Sequence, residues 1–336
     1  MDAPSVQYVT TDDGIRIAYA AVGEGLPFVF MPGPVPMEII WGFPRPLLPW
    51  VDGLSARFRV ILHDHRGIGL SSREDSERSM AGWVRDIEAV VRALGVTRFV
   101  LFAAAGFGHA ALHYALAHPQ SVMALIIVAT PISGRAWSPA MHDVLPKEDW
   151  LLFMRSAIPS ELTQDESRRY LDVMLRNSDP QGAFRGQRTA LESDMQAVLA
   201  QVKAPTLVMH SRDYLQLRPE ESMKLAAAIP GARFVLLDGA DLIGDHEQGL
   251  RAIDEFIESL PSEVAMATVK QPPGGLSSRE LDVLKLVAAG RTNPQIADEL
   301  FISRNTVQNH VASILAKAGL ANRAEAAAYA QRNGLV

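Results

Sequence analysis

The chain has 336 residues, enough for two domains, and 48% of them are hydrophobic, so a sizeable core is available. Its formal net charge is −6 and it has no cysteine. That excludes a disulfide framework, a thiolate zinc site and a thiol nucleophile, and argues against a generally basic nucleic-acid coat.

Gln7 to Thr10 and Ile15 to Tyr19 read as an opening hairpin that closes at Asp12-Asp13-Gly14. Short continuous apolar runs follow at Pro27–Phe30, Phe58–His63, Phe99–Phe102, Met123–Val128, Thr206–His210 and Phe234–Leu237. Such runs are the mark of parallel strands buried on both faces. Amphipathic helical patterns lie between them, around Trp83–Leu94, Ala110–Ala117 and Glu220–Ile229. The alternation predicts an α/β fold, a doubly wound and mostly parallel sheet, over residues 1–260. Residues 132–202 break the alternation and read as an all-helical inserted lid.

Several segments carry a family resemblance: Asp64-His65-Arg66-Gly67-Ile68-Gly69-Leu70-Ser71, His118-Pro119 with Val122, Ala204-Pro205-Thr206 through His210, and Pro230-Gly231-Ala232-Arg233. On these the body resembles the α/β-hydrolase fold. The resemblance implies a nucleophile on a strained turn between a strand and its helix. Here that turn reads Ala103-Ala104-Ala105-Gly106-Phe107-Gly108, with Ala105 at the nucleophile position and Phe107 where glycine is usual, so a reshaped elbow is expected. The implied acid position holds Tyr214 and the implied base position holds Leu242. The loop that usually supplies an oxyanion donor reads Met31-Pro32-Gly33-Pro34-Val35-Pro36, and Pro34 has no N–H.

A pocket without the triad is therefore expected, one that binds a small apolar or aromatic effector and does no chemistry. Its expected lining is Ala105, Phe107, Tyr214, Leu242 and Pro34, with Trp137, Met141, Trp150, Phe153 and Met154 from the lid, where Met174 and Phe184 also lie. The alternative is a hydrolase with a non-standard active site, for which His246 is the one substitute base. No cofactor is expected, because no phosphate-binding glycine loop is present. No metal is expected either. His109 and His113 stand four apart, a ligand spacing, but with no evident acidic partner, and His63-Asp64-His65 sits in a turn where Asp64 is expected to bond backbone amides.

Residues 261–275, with Pro272-Pro273-Gly274-Gly275, read as a linker. Residues 276–336 hold seven Lys/Arg and five Asp/Glu, a net charge of +2 that leaves the rest at −8. Ser277 with Glu280 has capping-box spacing, and Leu281, Leu284, Leu286 and Val287 form a stripe that ends at Gly290. Asn293 reads as the next cap with Pro294 in the first turn, Ser303 as the cap of a third helix and Asn322 as that of a fourth. On the third helix Val307, Val311, Ile314 and Leu315 face inward. Its other side presents Arg304, Asn305, Thr306, Gln308, Asn309, His310, Ser313 and Lys317 as expected DNA contacts: amides for base edges, cations for phosphates.

This segment resembles the LuxR/GerE-type helix-turn-helix of bacterial transcription regulators along its whole length, through Leu276-Ser277, Arg279-Glu280, Val283-Leu284, Ile296-Ala297, Thr306-Val307, Asn309-His310 and Lys317. It departs at Gln308, where the family usually has lysine. The resemblance implies a double-stranded DNA operator, and RNA polymerase as a further partner of an activator. Small residues Ala324, Ala326, Ala327, Ala328 and Ala330 on the last helix suit close helix packing, as across a homodimer two-fold. The polar start lacks the basic flank of a signal peptide, and runs such as Val122–Thr130 fall short of a membrane span, so a cytoplasmic regulator with no membrane partner is expected.

Overall fold

A computed structural model describes residues 4–43, 46–73, 78–138, 158–159, 162–177, 180–260, 278–300 and 304–332. The chain divides into two compact units, Met1–Pro261 and Ser262–Val336. The expected linker, 261–275, lies outside the described residues.

The first unit is built on an eight-stranded sheet of β1 (Gln7–Thr10), β2 (Arg16–Val22), β3 (Leu26–Met31), β4 (Phe58–His63), β5 (Phe99–Ala104), β6 (Val122–Val128), β7 (Thr206–Ser211) and β8 (Arg233–Leu237). The spatial order is β1-β2-β4-β3-β5-β6-β7-β8. β2 runs antiparallel to β1 and β4, and every other pairing is parallel. Every residue of β5, β6 and β7 is buried, as continuous apolar runs require when both faces are covered.

Side-chain alternation splits the core. Phe28, Phe30 and Phe102 point to one face, where Phe58 and Trp50 of α2 (Leu47–Ser55) join them. Val29, Leu101 and Ala103 belong to the cluster that holds Trp83 of α3 (Met80–Ala93) and much of α4 (Phe107–Ala117). The Ser79 hydroxyl caps α3 by accepting from Gly82 N–H at 3.1 Å. Among the described residues the remaining helices of this unit are α1 (Met37–Gly42), α5 (Gln164–Arg176), α6 (Pro180–Glu192), α7 (Pro219–Ala228) and α8 (His246–Glu258).

Between β6 and β7 the described residues hold α5, α6 and two 3-10 turns, which is where sequence expects the helical lid. Thr163 and Glu166 form a reciprocal capping box at the start of α5. Its far end meets the body: Asn177 carbonyl accepts from Gly69 N–H at 2.8 Å, and Asn177 Nδ2 donates to Glu38 at 2.8 Å. Under that contact, Asp64 accepts from the Met37 and Leu70 amides at 2.6 and 2.8 Å, the backbone role expected of it.

The second unit has α9 (Ser278–Ala288), α10 (Asn293–Leu300), α11 (Arg304–Ala318) and α12 (Arg323–Arg332). Val283, Leu284, Val287, Ile296, Val307 and Ile314 fill its core with Ala326 and Ala330. Gly290 ends α9 at φ +76° and Asn322 caps α12 by accepting from Glu325 N–H. The α10 cap corrects the sequence reading. Thr292 takes that place, its N–H bonded to Gln295 Oε1 at 2.8 Å, while Asn293 Oδ1 accepts from Arg323 at 2.9 Å. Gln295 Oε1 accepts from both the N–H and the hydroxyl of Thr292, which leaves Asn293 to bridge two helices.

Candidate functional site

The site of the first unit lies at the carboxyl ends of the parallel strands, where open α/β sheets bind their ligands. Ala105 follows β5 directly and adopts φ +53°, a left-handed conformation that costs a non-glycine residue about 1–3 kcal/mol. Its surroundings hold it there. Ala105 N–H donates to Val128 carbonyl at 3.0 Å, and Ala105 carbonyl accepts from Gly108 N–H at 3.0 Å and Thr130 Oγ1 at 2.9 Å. The strained turn is thus present despite Phe107, and the expectation of a reshaped elbow is corrected.

Phe107 does not line the site as expected. Its ring stacks on His65, 3.8 Å between centroids and 12° between planes, and packs on Trp83 at 4.7 Å within the core. The first residue of α4 points under the turn, toward α3 and the end of β4, so the bulk that glycine usually spares is absorbed by the core.

Gly106 makes a different contact. A Cβ built on it would stand 2.5 Å from Ala190 Cβ of α6, and one on Gly134 would meet the Ala190 and Leu191 carbonyls at 2.3 Å. Two glycines therefore let α6 settle directly on the elbow.

Other strand ends complete the ring. Leu242, after β8, reaches Gly33, after β3: a Cβ on Gly33 would lie 3.2 Å from Leu242 Cδ2. On that loop Pro34 and Pro36 have no N–H, Val35 N–H donates to Gly33 carbonyl, and Met37 N–H is taken by Asp64. Tyr214, after β7, donates its hydroxyl to Gln216 Oε1 at 3.2 Å. Gln216 carbonyl in turn accepts from Ser138 N–H, next to Trp137, at 2.9 Å. Trp137 is buried, and its Nε1 has no hydrogen-bond partner among the described residues.

Tyr170 of α5 is buried edge-on against Phe43. Burial first, and the Asp241 carboxylate second, hold the phenols of Tyr170 and Tyr214 well above their ordinary pKa. Met141, Trp150, Phe153 and Met154, expected from the lid, lie outside the described residues, as does the Phe184 side chain. Met174 is buried in α5.

The histidines divide by partner. His109 Nε2 donates to Pro131 carbonyl at 2.8 Å in the core, while His113 is exposed. His63 and His65 are buried with ring centroids 4.6 Å apart. Burial depresses His63 to about 4, and burial with the neighbouring imidazole holds His65 well below the usual value. Among the described residues no group of three His, Asp or Glu is arranged to hold a metal ion.

On α11 of the second unit, Arg304, Gln308 and Asn309 are exposed, and Thr306 and His310 are partly so. The Asn305 side chain lies outside the described residues. Ser313 is partly buried and Lys317 exposed, and both donate to the buried Glu280 carboxylate of α9, Lys317 Nζ at 2.9 Å. Glu280, read as half of a capping box, thus reaches across the domain to α11. Its aliphatic stem follows the core stripe of α9, which carries its head to the facing helix.

Sequence reasoning missed Tyr170, Gln216, Asp241 and Ala190. Asp241 stands beside Leu242 in the Gly239-Ala240-Asp241-Leu242 turn, and the other three stand in no motif.

Among the described residues no helix is long and apolar enough to cross a membrane. Residues 54–240 match the family model described as "Serine aminopeptidase, S33", and residues 275–330 match "Bacterial regulatory proteins, luxR family". The chain is 48% identical over 65 residues to the transcriptional regulatory protein LiaR of Bacillus subtilis, covering 19% of this chain and 31% of that one, so it spans under a third of that relative. It is 27% identical over 223 residues to the putative carbamate hydrolase RutD of Agrobacterium fabrum, covering 60% of this chain and 83% of that protein. A bromoperoxidase from Bacillus anthracis superposes with TM-score 0.64 at 18% identity over 76% of this chain and all of its own, a likeness of fold alone. The chain belongs to the α/β-hydrolase family of the serine aminopeptidase model, and it carries a LuxR-type DNA-binding helix-turn-helix domain at residues 275–330.

Proposed function

We propose that this protein is a ligand-responsive transcription regulator whose hydrolase-like unit binds a small molecule without turning it over. The observation that carries the reading is Ala105: the strained elbow is held by three hydrogen bonds, yet it bears a methyl group that cannot attack a carbonyl. Tyr214 and Leu242 at the other two positions of the family's triad support the same reading. So does the β3–α1 loop, whose prolines and committed amides are poor material for an oxyanion hole.

In this reading the second unit acts as a homodimer on a two-fold operator, with RNA polymerase recruited if the regulator activates. The effector works only through a difference in its affinity for the two states of the protein. Isothermal titration and operator gel shifts across a broad metabolite panel test it. Operator affinity that no bound metabolite alters would sink the sensing role.

A second reading is an enzyme with a non-standard site, and the names of the relatives favour it: RutD is a putative carbamate hydrolase. His246, the substitute base, is the first residue of α8 and partly exposed. Ester turnover by the full chain that His246→Ala abolishes would establish this second reading against the first.

A further inference from the structure

One side of α11 belongs to the core of the second unit. Val307 and Ile314 are buried there, and Val311 and Leu315 pack beside them. His310 is three residues from Val307 and four from Ile314, so it shares that side and is partly buried. Gln308, Asn309 and Ala312 are exposed on the other side. Ala312 stands four residues from Gln308 and three from Asn309, so it is a neighbour of both on the helix surface. The two amides make no hydrogen bond among the described residues.

The chemistry of these three groups points one way. A side-chain amide pairs with adenine in the major groove, donating to N7 and accepting from the 6-amino group. An alanine methyl suits the 5-methyl of thymine. Guanine is read by arginine or lysine, whose donors meet O6 and N7. Helix α11 has two such cations, and neither stands between Gln308 and Ala312. Lys317 Nζ is 2.9 Å from the buried Glu280 carboxylate, and Arg304 is the first residue of the helix. The middle of the exposed face thus offers amides for adenine, a methyl for thymine and no cation for guanine.

We infer that α11 reads A·T base pairs in the major groove, with adenines held by Gln308 and Asn309 and a thymine methyl against Ala312. This rests on the DNA-binding domain and needs nothing of the ligand-sensing role.

The test selects binding sequences for the full chain from a random double-stranded DNA pool. The selected sequences are expected to share a run of A·T pairs. Gln308→Met keeps the length of the side chain and removes the amide, and should relax the selection at one adenine. Placing 7-deazaadenine there removes N7 and keeps the base pair, and should weaken the native chain about tenfold while leaving Gln308→Met unaffected. Uracil in place of the contacted thymine removes the methyl and should weaken binding about threefold. Gln308→Glu should move the preference at the same position from adenine to cytosine, whose 4-amino group a carboxylate accepts from. Both substitutions lie on the exposed face and should leave the melting temperature unchanged. Selected sequences that share G·C pairs instead, or a selection that neither variant alters, would overturn the inference and leave DNA binding standing. A pool from which nothing is enriched would overturn it together with the regulator reading.

Discussion

The buried carboxylate of Glu280 in α9 accepts a hydrogen bond from Lys317 Nζ at 2.9 Å, at the far end of α11. Ser313, one turn earlier, donates to the same carboxylate. The contact ties α11 to α9, and in the proposed regulator it fixes the rotation that presents Arg304 to His310 to DNA. Glu280→Gln keeps the shape and removes the charge. We expect it to lower the melting temperature of the C-terminal unit, at a cost of about 1–3 kcal/mol, and to weaken operator binding through misorientation. Calorimetry and gel shift on the full chain check this; operator affinity and stability both unchanged would refute it.

Gln308 is exposed on the same helix. Gln308→Lys adds a cation to the DNA-facing side. The expected result is tighter binding at low salt and a steeper fall of log K against log salt, by about one phosphate contact. Fluorescence anisotropy over a salt series reads the slope, and an unchanged slope would show that position 308 stays clear of the backbone.

Ala105 already holds the backbone of a nucleophile. Ala105→Ser should therefore fold normally and still give no nitrophenolate burst with 4-nitrophenyl acetate, because Leu242 cannot take the serine proton. A stoichiometric burst would mean that another base, His246 being the first candidate, serves the elbow.

Gly106 and Ala190 allow no extra carbon between them: a Cβ on Gly106 would lie 2.5 Å from Ala190 Cβ. Gly106→Ala is expected to cost about 1–3 kcal/mol by pushing α6 off the elbow. Adding Ala190→Gly should recover most of that loss, since the pair shares one space. Chemical unfolding of the two single variants and the double variant decides it; additive losses would place the strain elsewhere.

His63 is held neutral, its pKa depressed by burial to about 4 against 6.5 for the free side chain. The sign follows from proton counting. Below about 6.5 the unfolded chain takes up a proton that the folded chain refuses until about 4, so stability is full above 6.5 and declines as pH falls through that window. His63→Phe should flatten this decline, by about 3 kcal/mol at most. An identical pH–stability curve for the variant would remove His63 as the cause.

Much of this protein is written in local pattern. Apolar runs gave the strands of the sheet, because burial on both faces leaves no room for polar alternation. The stripe of α9 and the polar side of α11 followed from helical period alone, and Ala105 could be set at its turn by counting along the chain. What the chain could not announce was where long-range pairing sends a side chain. Phe107 reads as pocket lining until β4 and α3 supply His65 and Trp83 as its neighbours. That Ser313 and Lys317 both bond Glu280 is decided by the packing of α9 against α11. Gln216 joins Tyr214 to the Ser138 segment only because the residues after β7 fold back on those that follow β6. Period and propensity act over a few residues, whereas these contacts join segments tens of residues apart, and only the folded sheet and bundle decide them.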